Sequence, residues 1–331
     1  MDLWYHNMSS VKQAGVAAIT NQLEFDDEVG VRALNAIYGH ARGNDPRPLA
    51  MVVSFTHPHD HYAIRQQYWD LYEHADIGLP HVARPTGALH DPHGLRLEHV
   101  IDIDAVDVTP EDIVRARRAY FGNVSYVDAW FGRLYAALQE TGLSDNTTVV
   151  VTSDHGDMLG ERGLWYKMTF RESASRIPLM ISRPGLVPAG RSAMPCGLVD
   201  VLPTLTDIAA AYGQVPVPEL IDPIDGTSLW PICRGDQAPS NRTIVGEYLG
   251  EGTVAPMRML RDERYKYIAC PTDPAQLFDL ATDPHEQHNL AAQPAHASRC
   301  EAFANLARTH WDVDAVADAV VAYRQLSELG F

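Results

Sequence analysis

Apolar residues in this chain follow two rhythms, and the two alternate. Leu49-Ala50-Met51-Val52-Val53-Ser54-Phe55 follows a polar loop closed by Pro46 and Pro48, and its length and β-branching predict a buried strand. It stops at Thr56-His57-Pro58-His59-Asp60-His61, where Pro58 cannot continue a ladder. Thr109-Pro110-Glu111-Asp112 then supplies an N-cap, a first-turn proline and two acids at the positive end of a helix. Tyr120, Val124, Val127, Phe131, Leu134 and Leu138 recur in alternating steps of four and three, which predicts one long helix closed by Gly142. Thr147-Thr148-Val149-Val150-Val151-Thr152-Ser153 is a second continuous run, of the kind buried on both faces in parallel sheets, and it delivers Asp154-His155-Gly156-Asp157 into a loop. Ile177-Pro178-Leu179-Met180-Ile181 reads as a further strand, and Asp200 to Tyr212, ended by Gly213, as a helix. The order strand, helix, strand, helix predicts an α/β domain with a mostly parallel sheet flanked by helices.

The character changes after about residue 215. Prolines gather between Pro216 and Pro231, and short strand-like stretches follow, such as Tyr265-Lys266-Tyr267-Ile268 after the turn-prone Asp262-Glu263. The expected division is an α/β domain over 1–239 and a smaller antiparallel α+β subdomain over 240–331, with a helix from Ala297 to Arg308.

Composition narrows the class. With 46% hydrophobic and 21% charged residues the chain has an ordinary globular balance, and no apolar run approaches the roughly 18 residues of a membrane span. Met1-Asp2-Leu3-Trp4-Tyr5-His6 has neither a basic nor an apolar leader region, so a cytoplasmic setting is expected, with no membrane partner. The net charge of −17 is dispersed, which argues against nucleic acid as a partner. It leaves room for a small anion, because one local metal or Lys reverses the field inside a pocket. An acidic field also mildly favours a cationic group on the substrate. Cys196, Cys233, Cys270 and Cys300 stand 30 or more residues apart with no Cys-x-x-Cys pair, as structural thiols do.

Ligands of open α/β sheets bind beyond the carboxyl ends of strands, and two such ends here carry His and Asp. Either feature alone has a plainer reading: a His-rich turn is often hydrogen-bonded structure, and an Asp after a strand is often a helix cap. Together they tilt toward a site. Asp154 could hold a hard divalent cation through a carboxylate oxygen, and His155 could add a nitrogen ligand or meet a substrate oxygen. Gly156 would let the backbone come close without a Cβ. Lys167 offers a point positive charge to an anionic oxygen, although a solvated surface Lys is the commoner case.

Ser153-Asp154-His155-Gly156-Asp157-Met158-Leu159-Gly160-Glu161-Arg162-Gly163-Leu164-Trp165-Tyr166-Lys167 resembles the metal-binding and Lys segment of the type I sulfatases, in the alkaline phosphatase superfamily. Arg176-Ile177-Pro178-Leu179, Arg183-Pro184-Gly185, Leu277-Phe278-Asp279-Leu280, Asp283-Pro284, Glu286 and Asn289-Leu290 are similar to the stretches that follow in that family. Trp4-Tyr5-His6-Asn7-Met8, Ser54-Phe55-Thr56-His57-Pro58-His59-Asp60 and Gly246-Glu247-Tyr248-Leu249 look closer still to its bacterial choline sulfatases. The resemblance implies a sulfuric ester hydrolase turning choline sulfate into choline and sulfate. It implies that Asp154 and His155 form the second half of a site for a divalent cation, Ca²⁺ before Mg²⁺ or Mn²⁺, the first half being an N-terminal Asp pair. His59 and Lys167 would be catalytic, meeting the sulfate and stabilising charge on its oxygens or on the leaving oxygen. His6 would reach the substrate from its loop. Glu247, beside Tyr248, would be the carboxylate near the choline ammonium, a group that aromatic faces suit.

The sequence departs from the family at its nucleophile. None of the four cysteines opens the Cys/Ser-x-Pro/Ala-x-Arg string that becomes formylglycine, and Pro239-Ser240-Asn241-Arg242 lacks the spacing. The N-terminal Asp pair is missing as well. The expectation is therefore a fragment that opens inside the family pattern, lacks its first strands and stops before its tail, with the activity of the isolated chain left open. His61 stands where a Pro is usual, and Arg171 stands where an aromatic is usual, a change that could alter the pocket wall. Two other readings remain: a phosphonate or phosphate monoester hydrolase of the same superfamily, and a non-catalytic remnant. The expected partner is a small sulfate ester, with a homo-oligomer left open.

Overall fold

In the computed structural model, which describes residues 7–87, 90–213, 216, 224–309 and 312–319, two long helices lie against each other. The chain begins with α1 (Ser9–Lys12) and β1 (Gly15–Val16), then enters α2 (Asn21–Arg42). Sequence periodicity did not single out α2, because its inner face mixes types: Leu23, Asp26, Gly30, Ala33 and Ile37 are the buried positions. Thr20 caps it, its hydroxyl accepting from Leu23 N. After β2 (Ala63–Ile64), α3 (Gln66–Trp69) and α4 (Pro92–Val100) comes the predicted long helix, α5 (Pro110–Glu140). The Thr109 hydroxyl accepts from Asp112 N while the Asp112 carboxylate accepts from Thr109 N, a reciprocal cap. The buried stripe of α5 is rotated from the expected one. Ala116, Ala119, Asn123, Tyr126 and Trp130 face inward, while Val124 is exposed. Small residues let α2 come close: a Cβ on Gly30 would lie 2.4 Å from the Trp130 ring.

The expected strand over Leu49–Phe55 forms no ladder among the described residues, and Leu49, Met51 and Val52 are exposed. β-branching favours a pleated backbone, but a strand needs a neighbour's amides, and the chain instead pairs the later β2 with β1 in parallel. The second predicted run is a strand, β3 (Val149–Thr152), and it pairs antiparallel with β4 (Leu179–Ser182). Length does not decide the sense, since the 26 residues between the two strands would be enough for a parallel crossover. The connection here holds only short elements, among them α6 (Glu172–Ser175), and the chain doubles back.

Then follow α7 (Val201–Gly213), α8 (Trp230–Cys233) and a four-stranded antiparallel meander of β5 (Ile244–Tyr248), β6 (Met257–Arg261), β7 (Tyr265–Cys270) and β8 (Asp273–Asp279). The last helix, α9 (Ala297–Arg308), has the predicted bounds and packs Phe303 on Tyr267 with ring centroids 5.7 Å apart. The α/β class with a small antiparallel sheet toward the C-terminus therefore holds. Arg171, where a change of pocket wall was expected, is 5% exposed. It is buried against that sheet, donating to Asp91 and Gln276, both at 2.9 Å, and lying over the Phe278 ring. Among the described residues no helix is long and apolar enough to cross a membrane.

Candidate active site

The His57–His61 loop is fixed from α2. The Asp26 carboxylate, fully buried, accepts from Thr56 N at 2.7 Å and His57 N at 2.9 Å, and meets His57 Nδ1 at 2.6 Å. From α1 the Ser10 hydroxyl donates to Asp60 Oδ2 at 3.1 Å, and Gln22 Nε2 donates to Asp60 O at 2.6 Å. Asp60 in turn orients His59, whose Nδ1 lies 2.8 Å from the Asp60 carbonyl and 2.8 Å from its Oδ1. That hydrogen bond raises the pKa of His59 above the ordinary imidazole value, against the opposing effects of burial and of Lys167.

Lys167 comes from 108 residues away and places Nζ 2.8 Å from His59 Nε2. Two cations would repel at this distance. With Nδ1–H given to Asp60, the bare Nε2 accepts an ammonium proton instead. Tyr166 and Met168 flank Lys167 with φ of +67° and +44°, left-handed values uncommon for such residues. They are held there: Tyr166 N donates to Asp157, its hydroxyl donates to Asn7 O at 2.6 Å, and Met168 O is bonded by His93 Nε2.

Beyond β3, His155 Nε2 lies 3.4 Å from Asp154 Oδ2, and the His155 ring is 6.3 Å from that of His59, centroid to centroid. The Asp154 side chain is 82% exposed. Gly156 N donates to Ala174 O at 2.7 Å, and a Cβ there would sit 2.2 Å from Ser173 O, so the close approach expected of this glycine is to its own chain. Asp157 accepts from Leu159 N, Tyr166 N and the Tyr62 hydroxyl, and its burial pushes the carboxyl up to about 7.

The structure thus gathers His59, Lys167 and His155, with Asp154 at the rim. It pairs Glu247 elsewhere, across the β5–β6 ladder with Arg258 at 3.5 Å, and does not bond it to the His59–Lys167 pair. His6 lies outside the described residues. Asp26, Asp60, Asp157 and Tyr62 emerge as supports to which no role was assigned from sequence. Asp60 and Asp157 sit inside the quoted motifs, whereas Asp26, in Asp26-Asp27-Glu28, reads as a solvated acidic face and carries no signal. The sulfatases that the sequence resembles generally use a divalent metal. One carboxylate and one imidazole fall short of the roughly 6–8 oxygen ligands of Ca²⁺. No group of three or more His, Cys, Asp or Glu that could hold a metal occurs among the described residues. Asp154 and His155 alone do not fit the ion.

Comparison with known proteins places the chain among relatives of one family. The Sulfatase family model matches residues 5–211, and a second, "N-sulphoglucosamine sulphohydrolase, C-terminal", matches 160–309. The choline-sulfatase of Rhizobium meliloti (strain 1021) is 43% identical over 326 residues, 97% of this chain and 62% of that protein. Arylsulfatase K of Gallus gallus is 32% identical over 56% of this chain and 35% of its own length. The phosphonate monoester hydrolase of Silicibacter pomeroyi superposes with a TM-score of 0.69 at 26% identity, covering 87% of this chain and 59% of that one. The chain thus spans less than two thirds of the length of each of these three relatives. With the Sulfatase family model matching residues 5–211, more than half of its length, the chain belongs to the sulfatase family.

Proposed function

We propose that these residues form part of the active site of a sulfuric ester hydrolase acting on choline sulfate. The observation that carries the reading is the 2.8 Å approach of Lys167 Nζ to His59 Nε2 beside His155. A sulfate oxygen entering this corner would accept the hydrogen bond that the Lys167 ammonium now gives to His59, the proton staying on Lys167. His59, with its raised pKa, would then pick up a proton from water at Nε2 and stabilise charge on the sulfate or give that proton to the leaving oxygen. Asp60 keeps Nε2 turned toward the substrate side throughout. Asp154 and His155 are proposed as two of the donors to a divalent cation, Ca²⁺ first, completed by groups beyond those described. His6 and Glu247 are proposed as substrate contacts, Glu247 toward the ammonium. The bond-breaking nucleophile is assigned to no residue of this sequence. A cytoplasmic setting and a small-molecule partner, with neither nucleic acid nor membrane, belong to the same proposal.

Calorimetric titration of the 331-residue chain with choline sulfate in Ca²⁺ tests it. Lys167→Ala and His59→Ala should each weaken binding by about tenfold or more, the worth of one charge-assisted hydrogen bond. Unchanged affinity in both refutes the assignment. A second reading, hydrolysis of phosphonate or phosphate monoesters, is favoured by the likeness to the Silicibacter pomeroyi enzyme. Preference for a phosphonate monoester over choline sulfate in the same titration would select it.

A further inference from the structure

A second buried charge cluster lies outside the site, and it joins the C-terminal sheet to the backbone on which the site leans. Lys266, on β7, is completely buried, a rare place for an ammonium group. Its Nζ lies 2.6 Å from Glu172 Oε1 and 3.0 Å from Glu286 Oε1, and donates to the Phe170 carbonyl at 2.7 Å. Glu286 Oε2 also accepts from Glu172 N at 2.7 Å, and Arg261 stands 3.7 Å from Glu172. Two cations thus face two carboxylates and the cluster closes near neutrality.

All of these contacts bear on residues 170–175, and that segment supports the site from both sides. Ala174 O accepts from Gly156 N at 2.7 Å, one residue beyond His155. Phe170 lies three residues beyond Lys167. The segment cannot slide toward the loop, since Gly156 and Ser173 are already in the close approach described above. Nor can it lift away without breaking the bonds to Lys266 and Glu286.

We propose that Lys266 is a positioning residue, which holds α6 at the height that sets His155 and Lys167 against His59. A charged group is needed because one carbonyl and two carboxylates converge on a single point. A side chain of similar length without charge would take the donor from the Phe170 carbonyl and the near cation from both carboxylates, leaving Glu172 with the more distant Arg261 and Glu286 with the Glu172 amide. Calling the target an active site rests on the reading above, but the brace itself is a matter of geometry.

Hydrogen exchange resolved to single amides tests the brace without any turnover, so it can stand or fall independently of the sulfatase chemistry. In the full chain, Lys266→Met should speed exchange of the Gly156 amide and of amides 174–176 by about tenfold or more, while amides in the middle of α5 stay near native. Lys266→Arg, which keeps the charge, should lie close to the native protein. An unchanged Gly156 amide, or an equal rise at Gly156 and throughout α5, overturns the proposal. If Lys266→Met does not fold, Glu286→Ala carries the same test, because it removes the acceptor of Glu172 N and one carboxylate of Lys266. The same local pattern is expected there, and slow exchange at Gly156 in that variant overturns the brace.

Discussion

Replacing Asp26 by Ala should destabilise the protein by about 3–5 kcal/mol, a large fraction of the stability of an ordinary domain. The figure follows from what the carboxylate does. It is fully buried and accepts three N–H groups, Thr56 N, His57 N and the His57 ring, over 2.6–2.9 Å. Alanine leaves all three donors without a partner, and each buried donor so orphaned costs about 1–3 kcal/mol before water or relaxation recovers part of it. Asparagine gives a sharper comparison. Its oxygen can serve the two His57 groups that share Oδ2, but its NH₂ then faces Thr56 N, donor against donor, so about 1–3 kcal/mol should be lost. Urea unfolding of native, Asp26→Ala and Asp26→Asn proteins, with the slope checked for constancy, measures both values. A loss under about 1 kcal/mol for alanine, or an asparagine variant as damaged as the alanine one, would refute the view that α2 anchors the His57–His61 loop through this carboxylate.

Other outcomes follow from the same contacts. Gly156→Ala should cost about 1–3 kcal/mol through overpacking and abolish choline sulfate binding, since Ser173 O must retreat; a variant with native stability and affinity would contradict the 2.2 Å approach. Asp157 gives a pH dependence with a definite sign. Between 3.8 and about 7 the folded protein keeps a proton that the unfolded chain has released, so this group makes stability fall as pH rises, by up to about 1.4 kcal/mol per pH unit, and level off above that window. Asp157→Asn, which mimics the neutral carboxyl, should flatten that stretch of the curve, and parallel native and variant curves would show that the carboxyl titrates normally. Lys167→Ala and His59→Ala, compared in the titration above, should weaken binding to similar extents because both remove a donor from one corner.

How much could be read beforehand varied with the kind of information. Helix ends written in local chemistry were legible: the Thr109–Asp112 cap of α5 and the whole span of α9 fall where the sequence places them. The residues singled out from Asp154 to Lys167 lie within one short stretch of chain, and the structure brings His155 and Lys167 of that stretch up to His59. Pairing was less legible. The β-branched run at Leu49–Phe55 has the composition of a strand, but the ladder depends on residues distant in sequence, as does the antiparallel sense of β3 and β4. Asp26 was invisible for a related reason. Its partner is 31 residues away, and the two acids that follow it make its neighbourhood look solvated.

The two left-handed residues around Lys167 also bear on how this protein can change over generations. At Tyr166 and Met168 a β-branched side chain would clash with its own backbone at these φ values, so replacement by Val, Ile or Thr is closed whatever the substrate. Glycine or asparagine stays open sterically, but glycine at 166 gives up the ring whose hydroxyl reaches Asn7 O. Drift at these two positions is thus constrained by the turn of the chain. In a survey of homologous sequences, the absence of Val, Ile and Thr at 166 would report the shape of the loop, whereas invariance as Tyr would report the contacts of its ring.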